Sequence, residues 1–256
     1  MTHWYGRVGP LPTLAGESAA ERRVGHWLMT SRRGGVGSPP FDDWNLALHV
    51  GDAAADVHRN RAVVTAFAGL PDGASVYMRQ CHSAEVRVVR SSDVPEVQQV
   101  DALVTDVPDL VVVALAADCV PVALIDAQAG VAAAVHSGWQ GMVRDVVGAA
   151  LTRMVDLGAD HSRIRAVLGP AICGLCYPVP PERQAEAAAA QPASAAVAAD
   201  GQPAIDVRAG LAARLRAAGV LVEYAGGCTA EDPELFSYRR DGLTGRQGVA
   251  VWWTSQ

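Results

Sequence analysis

Three side chains with metal-ligand chemistry stand at comparable places along the chain. His82 closes the run ASVYMRQC, Cys119 closes LVVVALAAD, and His136 closes VAAAV. Each sits where an apolar stretch gives way to polar or glycine-rich residues. Two imidazoles and one thiolate suit zinc and leave a fourth position for water or substrate. A closed structural site needs a fourth protein ligand, and nothing at metal-finger spacing supplies one. Each residue also has an ordinary reading. A cysteine after an apolar strand is commonly packing, and a histidine at a strand end is commonly just hydrogen-bonded. Spacing alone does not decide between the readings. Cys173-Gly-Leu-Cys176 has redox-pair or half-zinc-site spacing, but no second pair completes it. We read these as reduced thiols, with an occasional disulfide as the minor reading.

For three strand ends to meet on one rim, their strands must be neighbours in a sheet. ASVYMRQCH, EVRVVR, LVVVALAADCVPVALID and GVAAAVHSGW are short valine-rich runs broken by turn residues, which predicts strands. IRAVLGPAIC, LVEYAGGC and GVAVWW extend that set. Helices are expected from about Asp52 to Leu70, from Asp145 to Gly158, over 182–199, and over VRAGLAARLRAAGV up to Gly219. SRRGGVGSPPFDD, residues 31–43, reads as a shaped loop. Residues 1–30 read as a peripheral segment of loop and one short amphipathic stretch. Mixed strands and helices without repeat or long linker predict an α+β fold forming one domain over 1–256.

Composition narrows the chemistry. The chain has 256 residues, 50% hydrophobic and 19% charged, with net charge -6, which excludes disorder as its main state. A pI of about 5.6 offers no positive field for nucleic acid or an acidic membrane surface. All 21 basic residues are arginine. Lysine Schiff-base chemistry and a Walker-type phosphate loop are therefore excluded. Bound phosphate would need arginine, backbone amides or a metal. Five scattered cysteines and no visible secretory signal point to a cytoplasmic protein with reduced thiols.

Six motifs occur in order: NLALHVGD, RQCHSAEV, ALVTDVPDLVVVALAADCVPV, HSGWQGM, LGPAICGLCYPV and LFSYRRDGLTGRQ. Together they closely resemble the YfiH/PgeF family, also described as laccase-domain, polyphenol-oxidase-type or multifunctional purine nucleoside phosphorylase proteins. The resemblance runs from about Ser31 to Trp253. It implies a single domain of packed mixed β-sheets flanked by helices, with zinc held by His82, Cys119 and His136. It also implies phosphorolysis of adenosine, inosine, guanosine and methylthioadenosine, with adenosine deamination beside it.

The substrates expected on this resemblance are a purine nucleoside and phosphate, with neither nucleic acid nor membrane as partner. Arg32 matches the family's Thr-Arg-x-Gly-Gly-Val loop and is the first anion-binding candidate, its planar donors suiting phosphate. Arg239 and Arg240 are further candidates, with an ion pair to Asp241 as the alternative for this pair. Asn45 is expected to cap the following turn or touch substrate, and His49 is read as an interior histidine. The chain departs from the family pattern at Gln140, where Arg is usual, and at Pro178, where Glu is frequent. Cys81 and Gly37 depart as well. Two alternatives stand beside the phosphorylase: a copper enzyme oxidising phenols at the same ligands, and an editor of peptidoglycan precursors. Seven histidines are too few for a trinuclear laccase cluster.

Overall fold

The computed structural model describes residues 3–8 and 23–255. The elements in chain order are β1 (Trp4–Val8), β2 (Arg23–Met29), α1 (Ala54–Phe67), β3 (Ser75–Arg79), β4 (Val86–Val88) and β5 (Glu96–Gln98). Next come β6 (Ala102–Thr105), β7 (Val111–Ala116), β8 (Val120–Asp126), β9 (Val131–Ser137), α2 (Trp139–Val143), α3 (Val146–Asp156) and β10 (Arg165–Leu168). The chain closes with α4 (Pro181–Ala190), β11 (Ala195–Val197), β12 (Pro203–Ile205), α5 (Val207–Ala217), β13 (Leu221–Tyr224), α6 (Tyr238–Asp241) and β14 (Gln247–Ser255).

Two six-stranded mixed sheets are formed, ordered β1-β2-β14-β7-β3-β5 and β13-β10-β8-β9-β6-β4, beside the small β11-β12 hairpin. The period-2 alternation of the central strands sets the layers. In β7, Val112 and Ala114 enter the core between the sheets, while Val111, Val113 and Leu115 face the apolar layer that includes Val64 of α1. In β8, Ala123 and Ile125 face the other sheet. Val120, Val122 and Leu124 instead meet Val147, Leu151 and Met154 of α3 and Leu211 and Leu215 of α5. The result is an α+β single domain in four layers: helix, sheet, sheet, helices. Alanines at 132 and 134 keep the inter-sheet face of β9 small enough for close stacking. Asp145 caps α3 by accepting from Gly148 N and also pairs with Arg214 of α5 at 2.8 Å, which ties the two outer helices together.

Two sequence expectations need correction. The segment 1–30 is not peripheral where it is described: β2 lies between β1 and β14 in the first sheet. Its burial on both faces hides the alternation that would mark it as a strand. The rest of that expectation falls on 1–2 and 9–22, outside the described residues. The helix expected over 182–199 stops at Ala190. Gln191 is extended (φ -140°, ψ 91°) because Pro192 disfavours helical backbone at the residue before it, and the chain then enters β11. Among the described residues no helix is long and apolar enough to cross a membrane.

β2 also carries a pH-sensitive residue. The His26 ring stacks on Trp252 at 5.1 Å between centroids, with Nδ1 against the Tyr5 hydroxyl (2.8 Å) and Nε2 against Thr254 Oγ1 (3.1 Å). Burial first, and then the charge of Arg7, lower its pKa from 6.5 to about 4. The neutral ring is the folded form, so its contribution is complete above pH 6.5 and is lost as pH falls toward 4. The gap is worth at most about 3 kcal/mol. His26→Gln should flatten the fall in Tm across that window, measured by thermal melts in a pH series.

Candidate metal centre and cleft

His82 follows β3, Cys119 sits in the turn between β7 and β8, and His136 lies near the end of β9. These positions bring their ligand atoms within 4.8 Å of one another. Cys119 Sγ is 3.7 Å from His82 Nε2, and the two imidazoles meet edge to face with centroids 4.9 Å apart. His136 is buried; His82 and Cys119 reach the cleft. Burial works against ionisation of the Cys119 thiol, but the imidazoles of His136 and His82 outweigh it and lower the pKa. Burial likewise opposes a charged His136, and the Cys119 sulfur and Asp101 outweigh it and raise the pKa.

Asp101 organises this group. It is fully buried immediately before β6. One carboxylate oxygen accepts from His136 Nδ1 (2.8 Å) and the His82 backbone N–H (3.1 Å). The other accepts from Ser83 N (2.6 Å), Ser83 Oγ (2.8 Å) and Cys81 N (3.2 Å). Its pKa is lowered although burial would raise it, because His136 and Ser83 donate to the charged form. These bonds hold His82 in left-handed backbone (φ 60°), a conformation a histidine adopts only when its surroundings fix it. With Nδ1 engaged, His136 turns Nε2 toward the shared centre.

Two more features shape the centre. A Cβ at Gly138 would stand 2.9 Å from Cys119 Sγ and 3.0 Å from His82 Cδ2, so glycine leaves the cradle that the ligands occupy. Asp118, also left-handed (φ 91°), accepts from Thr229 Oγ1 (2.6 Å), Ser237 Oγ (2.7 Å) and Arg239 N (2.6 Å). That carboxylate fixes the turn presenting Cys119 and docks the start of α6 beside it.

The ligand atoms open on two joined clefts. One, of about 250 Å³, is lined by Trp139, Gln140, Ile172, Tyr177, Tyr238 and Arg239 among others. The second, of about 320 Å³, adds His49, Gln80 and Arg246, and both include His82, Cys119 and Tyr238.

The expected anion binders separate here. Arg239 lines the first cleft, its guanidinium 4.9 Å from the Tyr177 ring. Arg32 is instead occupied by Asp42 (2.9 Å) and Asp241 (3.3 Å), an internal tie of the 31–43 loop rather than a free cation. Arg240 donates to the carbonyls of Thr229, Asp232 and Leu235 and pairs with Asp241 at 2.7 Å. Asn45 is buried; it receives the Ala47 and Arg246 N–H groups and donates to Ala47 O and Asp52, so it shapes the turn. His49 is exposed at the cleft rather than interior.

Sequence reasoning missed Arg246, although it lies within the quoted LFSYRRDGLTGRQ motif. It lines the second cleft and donates to Thr244 O and Gly245 O; among the described residues it makes no ion pair. Burial lowers its pKa despite the nearby Cys119 and Asp118. Gln140 lines the cleft, and Arg144, one helical turn later, donates to the His82 carbonyl.

Comparison with known proteins adds the family. Residues 26–254 match the family model described as multi-copper polyphenol oxidoreductase laccase. The chain is 46% identical to the purine nucleoside phosphorylase Rv2149c of Mycobacterium tuberculosis over 226 residues, covering 88% of this chain and 90% of that one. It is also 46% identical to the purine nucleoside phosphorylase SCO2081 of Streptomyces coelicolor, covering 89% and 95%. Among solved structures, YlmD from Geobacillus stearothermophilus superposes with a TM-score of 0.83 at 27% identity, covering 95% of this chain and 100% of that one. NMB0706 of Neisseria meningitidis gives 0.80 at 31% identity, covering 90% and 94%. With its fold and nearly its whole length matched, the chain belongs to the laccase-like family that contains the YfiH proteins.

Proposed function

We propose that the chain is a zinc-dependent purine nucleoside phosphorylase that also deaminates adenosine at the same site. The observation that carries this reading is an open three-ligand centre, His82, Cys119 and His136, facing a cleft lined by Arg246, which makes no ion pair among the described residues. The donor set fits zinc: two imidazoles, one thiol of lowered pKa, and a cradle kept clear by Gly138. When bound there, zinc supplies positive charge for an oxygen anion and acidifies water.

The chain's own residues do the rest. Arg246 offers planar donors to inorganic phosphate, and Asn45 holds its backbone in place. Trp139, Tyr177 and Tyr238 provide faces for a purine, with Gln140 able to donate to and accept from its edge. In phosphorolysis a phosphate oxygen forms a bond to the anomeric carbon as the glycosidic C–N bond breaks. The purine keeps the bonding pair and takes a proton from solvent. At His49, partial desolvation at the cleft and then the charge of Arg246 lower the pKa, which favours a neutral ring able to accept on one nitrogen and donate from the other. In deamination a water oxygen replaces the exocyclic amine of adenosine, and ammonia leaves.

The test is base release from adenosine by chelator-treated, zinc-reloaded protein, with and without phosphate, resolved by chromatography. Adenine that requires phosphate, and inosine without it, support both halves; neither product overturns the reading. Arg246→Met should raise the KM for phosphate about tenfold, the worth of one charge-assisted hydrogen bond, while the zinc content stays unchanged. The family description favours a second reading, copper-dependent oxidation of phenols. Oxygen uptake by copper-loaded but not zinc-loaded protein would select it.

A further inference from the structure

A second group of soft ligands lies away from the His82–Cys119–His136 centre. Cys173 and Cys176 follow β10, Cys173 just before and Cys176 at the end of a 3-10 turn over residues 174–176. Cys228 follows β13, 55 positions beyond Cys173, and Glu231 comes one turn later. Their three sulfurs and one carboxylate oxygen all lie within 4.8 Å of one another. The local sequence shows only the Cys-x-x-Cys half. The other two ligands come from a distant loop that the fold lays alongside.

The backbone already has the form such a site needs. Cys176 N–H bonds to Cys173 O at 3.1 Å, which closes the turn and points both sulfurs to one side. Cys173 N–H donates to Cys228 Sγ at 3.4 Å, and Cys176 Sγ lies 3.7 Å from Glu231 Oε1. The two loops are joined by a parallel bridge between Ala171 and Cys228 and by Thr229 N–H to Ala171 O at 3.2 Å. Tetrahedral zinc at about 2.3 Å from each sulfur sets sulfurs about 3.8 Å apart, so the group need contract only slightly. All four positions are filled by protein, which marks a structural centre rather than a catalytic one.

We propose that Cys173, Cys176, Cys228 and Glu231 form a second metal site, a closed centre for zinc or a similarly thiophilic divalent cation. The cation clasps the loop after β10 to the loop after β13. Each thiol binds as thiolate and gives its proton to solvent, with no change of oxidation state. Both loops serve the cleft: Ile172 and Tyr177 line it, and Thr229 donates to Asp118 in the turn that presents Cys119. The clasp therefore steadies one wall of the cleft without touching the reacting atoms.

The experiment counts zinc per chain by mass spectrometry after reduction, zinc reloading and desalting. Native protein should hold two ions and Cys119→Ser one. Cys176→Ser should also hold one, and the double variant none. Should Cys176→Ser fold poorly, alkylation of the native protein answers the same question. Zinc should slow iodoacetamide labelling of Cys173, Cys176 and Cys228 together by about tenfold or more, reversed by chelator. Cobalt in Cys119→Ser should give intense thiolate charge-transfer absorption. A Cys119→Ser protein that holds no zinc and gives no such absorption overturns the proposal. So does a disulfide among the three cysteines that survives reduction under native conditions, or labelling unchanged by zinc.

Discussion

Cys119→Ser should cost the protein one bound metal ion per chain and, with it, at least about 100-fold in phosphorolysis, while the fold survives. The estimate is a lower bound, because altering even a residue that only orients a metal ligand commonly costs 10- to 100-fold, and here a ligand itself is changed. A serine hydroxyl does not ionise near neutral pH, so the substitution removes the soft anionic donor and leaves two imidazoles. The fold should tolerate the change. Cys119 lies in a turn between β7 and β8, outside the three apolar clusters, and the turn is fixed by Asp118 through Thr229, Ser237 and Arg239. A change in Tm of only a few degrees is expected. Metal analysis with parallel melts decides the matter. A variant that keeps the native zinc count would remove Cys119 from the ligand set, whatever its activity.

What the sequence could show of this site follows from how local each signal is. His82, Cys119 and His136 each end an apolar run, so the hydrophobic pattern itself marks them, and the sheet order β8-β9-β6 with β7 packed behind explains why they converge. Asp101 gave no such mark. It is one carboxylate before a short buried strand, and its importance lies in partners 18 to 35 positions away. Arg32 shows the converse. Its motif points to an anion, but two carboxylates of the chain already meet it, Asp42 ten positions on and Asp241 209 positions later, and only the fold brings in the second. Arg246 stood in a motif where Arg239 and Arg240 drew attention, and only the fold shows that Arg240 is taken up by three carbonyls while Arg246 faces the cleft. The helices behave the same way. Amphipathic periodicity located α3 and α5, whereas the alanine-rich stretch ran past its true end because composition outweighed the proline at 192.

Asp101→Asn carries the second large expectation, and its geometry allows a sharp test. Every hydrogen bond at this carboxylate is accepted: two on one oxygen, and four on the other, including one from Cys81 Sγ at 3.5 Å. An asparagine must turn its NH₂ toward one of these sets, so at least two donors lose their acceptor in a fully buried place. An unmade buried hydrogen bond costs about 1–3 kcal/mol, so a loss of about 2–4 kcal/mol in stability is expected from chemical unfolding. Stability alone would not distinguish a structural carboxylate from one that serves the metal. The distinguishing measurement is zinc affinity, taken by chelator competition well below the variant's Tm. Asp101 fixes the His136 tautomer and holds the left-handed His82 backbone, so the affinity of this one centre should fall about 10- to 100-fold. The kcat at saturating zinc should recover much of its native value. An unchanged zinc affinity beside a lowered Tm would reduce Asp101 to a stabiliser of the β6 entry. A coupled loss would make it the residue that turns two histidines and a cysteine into one metal centre.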